Sequence, residues 1–217
     1  MEAGFVPMFD GKTLNGWDGD PTYWRMENGV LVGEVTPETT LQRNSFIIWR
    51  GGRPADFELK VEYRVTGRGN SGLSYRNIQL DDAPWSLSGY QADIDGAKHD
   101  LRVPRRRYTG NLWEERGRRF LAWRGQIVHI DETGEPVVIG SLGDRDELEK
   151  VIRENDWNEY HVIARGNILT HILNGQVMTI VIDDDKENRR MEGLIGVQVH
   201  IGPSHKIEYR NFRIKEL

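Results

Sequence analysis

One segment alternates between apolar and charged residues without a break, and this alternation limits what the chain can fold into. From residue 57 to 65, Phe, Leu, Val, Tyr and Val occupy the odd positions, while Glu, Lys, Glu and Arg occupy the even ones. Side chains return to the same face of a β-strand every two residues, so the segment predicts a strand with one buried face. Similar patterns recur along the chain at short intervals.

Tight turns are predicted between several of these patterns. Asn28-Gly29 and Asn174-Gly175 each supply the two positive φ angles of a type I′ turn, which favours a β-hairpin. Only residues 144–153 have a helical pattern, and this helix is short. About a dozen strands and one helix predict an all-β fold: a two-sheet antiparallel jelly-roll sandwich with one short peripheral helix.

Length and composition exclude several classes of protein. A chain of 217 residues fits one domain over residues 1–217. It has no cysteine, hence no disulfide framework, and no apolar run long enough to cross a membrane. The net charge of −5 gives no reason to expect a nucleic-acid partner. The first residues lack the features of an export signal, although a chain that had lost such a signal would look the same and would be periplasmic or secreted.

Arginines are concentrated in one part of this acidic chain. They occupy much of 102–107, and Arg116, Arg118 and Arg119 follow closely. Such a cluster is typical of a solvated loop, and it is also suited to binding phosphate or an acidic sugar. Both interpretations stay open at the level of sequence.

Two further strand patterns, 70–76 and 89–95, carry polar residues on one face. Charged groups seldom share a sheet face with aromatic residues unless they bind a polar ligand, although antiparallel sheets often leave one face in water. The alternation therefore predicts either a binding surface or a solvated outer face. That face would carry one cation, one amide and two carboxylates: Arg76, Gln91, Asp93 and Asp95.

Several motifs, in a fixed order, resemble the 3-keto-disaccharide (3-keto-glycoside) hydrolase domain family. Single motifs are weak, but together they extend over nearly the whole chain. They are Phe-Asp-Gly-Lys-Thr-Leu-Asn-Gly-Trp at 9–17, Asn-Ser-Gly at 70–72, Gly-Tyr-Gln-Ala-Asp-Ile-Asp at 89–95, Trp-Asn-Glu-Tyr at 157–160, Gly-Val-Gln-Val-His at 196–200 and Tyr-Arg-Asn-Phe-Arg-Ile at 209–214.

The resemblance implies a concanavalin A-like jelly roll that binds a carbohydrate on its concave sheet. Many members of the family carry Glu, Gln and Asp where this chain has Gln91, Asp93 and Asp95. In glucanases of similar fold a carboxylate is the nucleophile, and the amide of Gln91 is a poor substitute for it. The resemblance therefore favours cleavage of a 3-keto glycoside by C2 proton abstraction, elimination of the C1 substituent and rehydration.

This reaction needs a base, an acid and a group that stabilises the enolate oxygen. Arg76 is predicted for the enolate, Asp93 or His200 for the base, and Glu115 or Asp95 for the acid. A structural alternative is open for each, including an ion pair of Arg76 with Asp93 or Asp95. The residues predicted to bind the substrate are Asn70, Gln91, Trp113, Arg118, Gln198 and Glu62.

Other functions remain as alternatives. A non-catalytic carbohydrate-binding module of the same fold needs aromatic platforms but no acid or base, and a purely structural sandwich needs no cleft. No cofactor is predicted. A divalent ion held by Asp93, Asp95 and His200 is an open alternative, as is calcium at the acidic turn 183–187.

Overall fold

Two β-sheets pack face to face in the computed structural model, which describes residues 2–96 and 107–217. The strands are short and follow one another closely along the chain. In chain order they are β1 (Val6–Pro7), β2 (Trp17–Asp18), β3 (Trp24–Glu27), β4 (Val30–Val35), β5 (Ser45–Trp49), β6 (Phe57–Gly67), β7 (Asn70–Gln79), β8 (Leu87–Asp95), β9 (Leu112–Glu115), β10 (Arg119–Ala122), β11 (Gln126–Ile130), β12 (Pro136–Ser141), β13 (Asn158–Arg165), β14 (Ile168–Leu173), β15 (Gln176–Asp183), β16 (Leu194–Val199) and β17 (His205–Glu216).

Nearly all neighbouring strands are antiparallel. Within the described residues the larger sheet has the order β12-β11-β15-β14-β13-β6-β17-β4-β3, with β1 paired to β17. The smaller sheet has the order β10-β9-β8-β7-β16-β5-β2. Strands β11 and β15 form a parallel pair. The predicted all-β, two-sheet sandwich is confirmed.

Alternating burial within single strands builds the core between the sheets. In β6, Phe57, Leu59 and Val61 are completely buried, and the charged residues between them are half-exposed. Across the core, Tyr90 and Ile94 of β8 point inward from the smaller sheet. Burying a side chain of this size contributes about 1.5–3 kcal/mol to the free energy of folding. The strand predicted at 57–65 is confirmed.

Both predicted Asn-Gly hairpins are confirmed. Asn28 and Gly29 connect β3 to β4 with φ angles of 51° and 81°, and Asn174 and Gly175 connect β14 to β15 with 49° and 83°. These angles lie in the left-handed region, which Asn and Gly adopt more readily than other residues.

The predicted helix exists but is shorter than its pattern. Helix α1 spans Arg145–Glu149, and the Asp144 carboxylate accepts the backbone N–H groups of Asp146 and Glu147. After Glu147 the backbone bonds tighten to i→i+3 spacing, at Lys150 and Ile152, and this ends the helix. No helix in the described part of the chain is long and apolar enough to span a membrane.

Candidate functional site

A cleft of about 700 Å³ opens on the face of the smaller sheet that points away from the core. Strands β7, β8 and β9 supply its floor, and the chain around 108–120 supplies one wall. The cleft, as the term is used below, is lined by Asn44, Asn70, Gln91, Asp93, Tyr108, Trp113, Glu115, Arg116, Gly117, Arg119, Phe120 and His200. Six of the residues predicted from the sequence therefore meet in one place: Asn70, Gln91, Asp93, Trp113, Glu115 and His200.

Strand β8 places two polar side chains on the floor because its other face is needed for the core. Tyr90 and Ile94 are buried between the sheets, so alternation turns Gln91 and Asp93 to the opposite face. Gly72 lies opposite Asp93 on β7, and a Cβ atom there would overlap the side chain of Gln91. The glycine thus provides the space in which Gln91 lies.

Asp93 is a buried carboxyl group with few hydrogen-bond donors. It is 5% exposed, and Gln91 Nε2 donates to its Oδ1 at 3.2 Å, while Ser74 Oγ donates to Gln91 Oε1 at 3.2 Å. Burial raises the pKa of Asp93 well above its usual range; the Gln91 bond opposes this, and the nearby Asp95 and Glu115 add to it. Asp93 therefore retains its proton at a pH where an exposed aspartate has lost it.

His200 and Glu115 lie on opposite sides of Asn44. The Asn44 amide accepts the Ile201 N–H at 3.0 Å and donates to Glu115 Oε1 at 3.3 Å. His200 Nδ1 is 2.5 Å from the Ile201 carbonyl oxygen, which can only accept a hydrogen bond. Nδ1 must therefore carry the proton, and in the neutral ring the lone pair lies on Nε2.

Aromatic rings form the wall of the cleft. The Phe120 ring stacks on Trp123 with centroids 3.9 Å apart and meets Trp113 edge-on at 4.7 Å. The Tyr108 ring is nearly parallel to Phe120, with centroids 6.0 Å apart, and is 6.5 Å from Trp123. Trp113 Nε1 also donates to Glu115 Oε2 at 3.1 Å. A rigid aromatic surface beside hydrogen-bonding groups is suited to a sugar, which has both apolar C–H faces and hydroxyl edges.

Asp95 points to the same side of β8 as Asp93 but does not line the cleft, so the structure does not bring it together with the other residues predicted for catalysis. Four donors converge on its carboxylate because the chain at 107–109 folds over it. They are Arg107 Nε at 3.3 Å, the Tyr108 N–H at 3.0 Å, the Thr109 N–H at 2.9 Å and the Thr109 hydroxyl at 2.6 Å. Asp95 holds the loop, and through it the aromatic wall. The rest of the basic stretch, 102–106, lies outside the described residues.

Arg76, which the sequence predicted to bind the enolate, also lies outside the cleft. The pairing of β7 with β8 shifts register after Tyr75, and Arg76 has a φ of 49°, so the alternation on which the prediction depended is interrupted there. The Arg76 side chain is 1% exposed and its ion-pair partner is Asp56 rather than Asp93 or Asp95. Its remaining acceptors are the carbonyl oxygens of Ala55, Gly166 and Arg190.

Three residues predicted to bind substrate lie outside the cleft as well. Arg118 joins the turn after β9 to the end of β15, through ion pairs of 2.7–3.1 Å with Glu114, Asp183 and Asp185. The acidic turn predicted as a calcium alternative therefore binds a guanidinium group. Among the described residues there is no group of three His, Asp or Glu side chains placed to hold a metal ion.

Gln198 and Glu62 are excluded from the cleft for different reasons. Gln198 is fully buried and lies in register with Phe46, which belongs to an apolar cluster with Leu87. Glu62 belongs to the larger sheet, where it binds Arg210 at 2.7 Å and Asn211 at 2.6 Å. The structure therefore does not bring these two residues together with the cleft.

Other residues of the cleft were missing from the sequence prediction. They are Asn44, Tyr108, Gly117 and Phe120, whereas Arg116 and Arg119 belong to the arginine cluster for which the sequence left a solvated loop and an anion site open. The density of aromatic and arginine residues between 108 and 123 was the one signal that could have pointed to most of them, and Asn44 had none.

Comparison with known proteins agrees with a cleft whose geometry is suited to a carbohydrate. The family described as "3-keto-alpha-glucoside-1,2-lyase-like domain" matches residues 4–215. A "3-keto-disaccharide hydrolase" from Bacteroides thetaiotaomicron is 34% identical over 241 aligned positions, which cover 99% of this chain and 79% of that protein.

Solved structures share the fold at low sequence identity. A Bacillus subtilis protein of unknown function with a galectin-like fold has a TM-score of 0.62 and 13% identity, over 98% of this chain and 94% of its own. The carbohydrate binding module CBM66 from Bacillus subtilis has a TM-score of 0.56 and 19% identity, over 93% and 96%. Family and fold together support a carbohydrate-active role.

Proposed function

Since the chain belongs to the 3-keto-alpha-glucoside-1,2-lyase-like domain family, we propose that it cleaves a 3-keto glycoside by elimination and rehydration. The observation that carries this proposal is that one cleft holds both a buried carboxyl group, whose pKa burial raises, and a histidine whose Nδ1 faces a carbonyl oxygen. Asp93 supplies the first and His200 the second. A binding module needs neither group.

The ketone at C3 makes the C2 proton acidic, and His200 Nε2 accepts that proton. The electrons of the C2–H bond form the enolate, then the C1=C2 double bond, as the bond from C1 to the leaving oxygen breaks. Asp93 donates its proton to that oxygen. Water then adds across the double bond, with hydroxyl to C1 and hydrogen to C2, which regenerates the 3-keto sugar.

The remaining cleft residues orient the substrate in this scheme. Asn70 lines the cleft, and in this proposal its carboxamide donates a hydrogen bond to the C3 oxygen, the role predicted for Arg76. Trp113 and Phe120 stack against the sugar ring. Glu115 accepts bonds from both Asn44 and Trp113 and so fixes this wall with respect to the floor.

The direct test compares a 3-keto disaccharide with its ordinary parent sugar, with release of both products followed by mass spectrometry. We expect cleavage of the keto compound alone. In D₂O, the Asp93→Asn variant should still exchange the C2 hydrogen with solvent, because the base is intact, while failing to expel the leaving group. The His200→Gln variant should lose both exchange and cleavage.

The matched control is Asp81→Asn, which removes an exposed loop carboxylate and should leave both reactions intact. Failure of the wild-type protein to cleave or exchange the keto sugar, together with saturable binding of a glycan, would overturn the proposal. The protein would then be a carbohydrate-binding module of the same fold.

A further inference from the structure

Two arginines line the cleft at the turn between β9 and β10, and their environments differ. Arg116 Nη1 is 2.8 Å from Asp82 Oδ2, so its charge is balanced by a neighbouring loop. Arg119 is exposed, and its side chain forms no ion pair or hydrogen bond with any residue in 2–96 or 107–217. A cation without a counter-charge in a cleft attracts anions.

The backbone at this turn holds Arg119 in an unusual conformation. Its φ is 72°, and that of Arg116 is 55°, both in the left-handed region that non-glycine residues seldom adopt. Arg119 pairs with Glu114 across the strands, so ordinary alternation would turn both side chains toward the interior side of the sheet. The positive φ accompanies a side chain that lines the cleft instead.

The carboxylate of Glu114, the cross-strand partner of Arg119, is already occupied. Glu114 accepts the backbone N–H, Nε and Nη2 of Arg118 at 2.7–3.2 Å, which leaves little of it for Arg119. On the cleft side, Glu115 accepts from Asn44 and Trp113. Glu115 is an acid in the same cleft, but neither it nor any other carboxylate among the described residues forms an ion pair with Arg119.

We propose that this edge of the cleft, centred on Arg119 with Arg116 beside it, is a subsite for an anionic group carried by the carbohydrate substrate. A planar guanidinium group matches a carboxylate or a sulfate ester through paired hydrogen bonds. The inference rests on the proposed function, because it specifies the substrate of the same cleft. The charged group lies either on the 3-keto sugar, as in a uronic acid, or on the leaving group.

Two matched pairs of substrates test this inference and distinguish the two positions. One pair is an aryl 3-keto glucoside whose leaving group bears a para carboxylate or a para carboxamide. The other is an aryl 3-keto glucuronide and its glucuronamide. Within each pair the shape is nearly constant and only the charge changes, so the ratio of kcat/KM values isolates the effect of the anion.

We expect the anionic member of one pair to have about a tenfold higher kcat/KM. That ratio should fall between about 0.01 and 1 M KCl, because salt screens charges at an exposed site. Arg119→Gln should bring the ratio close to one, and Arg119→Lys should retain part of it. The control Arg165→Gln removes an equal charge from an exposed position in the larger sheet and should leave the ratio unchanged.

Equal kcat/KM values within both pairs would overturn the subsite and leave the proposed function standing. If the wild-type protein cleaves none of the four compounds, the proposed function fails, and calorimetric dissociation constants for the same four compounds decide the subsite alone. Tighter binding of an anionic member, lost in Arg119→Gln but not in Arg165→Gln, would support it. Equal dissociation constants would overturn it.

Discussion

Asp93 and Asp95 are two carboxyl groups on one side of one strand, and their environments are opposite. Both are buried, at 5% and 2% exposure. Asp95 receives four hydrogen bonds, one of them from the guanidinium group of Arg107. Asp93 receives one, from the uncharged amide of Gln91. The carboxylate of Asp95 is therefore surrounded by donors, whereas burial penalises a negative charge on Asp93.

This difference distinguishes, within one sheet, a carboxylate that stabilises the fold from a carboxyl group that can take part in a reaction. A buried carboxylate surrounded by donors stabilises the fold. Its removal lowers the free energy of unfolding, because the donors stay buried without their acceptor. A buried carboxyl group with one weak donor keeps a proton that it can give to a substrate. Proximity in sequence says nothing about which of the two a residue will be.

The largest expected effect comes from Asp95→Asn. The change breaks the ion pair with Arg107 and places an N–H group against donors that lose their acceptor. We expect the free energy of unfolding, from urea denaturation, to fall by about 3–5 kcal/mol. Asp93→Asn should change it by less than about 1 kcal/mol near the pH where Asp93 is still protonated. Equal losses in the two variants would contradict the contrast between the two sites.

For catalysis we expect the larger effect from the substitution of Asp93 rather than from that of Asp95. Asp93→Asn removes the proton donor, and we expect kcat/KM for a 3-keto glycoside to fall about 10²–10⁴-fold. At high pH the wild-type rate should also fall as Asp93 loses its proton, a limb that the variant should lack. Steady-state kinetics over a pH range measures both effects. A variant that keeps the wild-type rate and this limb would show that another group is the acid.

The raised pKa of Asp93 also predicts a pH dependence of stability. Burial raises the folded-state pKa above the value of about 3.9 for an unfolded aspartate. Between these two values the folded protein holds a proton that the unfolded chain releases, so the contribution of this group to stability is complete below the lower value and is lost as the pH rises. Asp93→Asn should therefore become more stable relative to wild type as the pH increases above about 4.

Parallel urea titrations of both proteins at several pH values test this linkage. Asp81→Asn is the control, because an exposed loop carboxylate has no comparable cause for a shift. A difference between Asp93→Asn and wild type that stays constant across the range would contradict the assignment of a protonated Asp93.

The smallest expected effect comes from Gly72→Ala, which tests whether the position of Gln91 beside Asp93 matters for activity. In Gly72→Ala the new methyl group overlaps Gln91, which must move and so releases its bond to Asp93. We expect about a tenfold loss of kcat/KM. In the control Gly52→Ala the new atom comes no closer than 3.6 Å to its neighbour, Trp49, and activity should be unchanged.

The fold class could be predicted because it depends on local sequence patterns. Alternation at 57–65 and the Asn-Gly turns depend on the geometry of single strands and hairpins, and these the structure confirms. The order of strands within each sheet depends on pairings between distant segments, for which a single sequence holds no local signal. Helix α1 is shorter than predicted because its backbone bonds tighten to i→i+3 spacing after Glu147, a change that the apolar pattern does not signal.

The candidate site was predictable only where alternation held. It placed Gln91 and Asp93 correctly, and it failed at Arg76, where the register shift after Tyr75 redirects the side chain. It could not distinguish Asp95 from Asp93, because the donors to Asp95 come from 107–109. The partners of Arg118 at 183–185 are equally distant in sequence.

The place of β17 in the larger sheet has a consequence for how quickly the protein forms. This strand lies between β4 and β6, although both precede it by most of the chain. Until it arrives, those two strands present open edges that can pair with other chains. Folding that waits for such distant contacts takes milliseconds to seconds. The yield of refolded protein should therefore fall steeply with chain concentration, because self-association competes with the docking of a single strand.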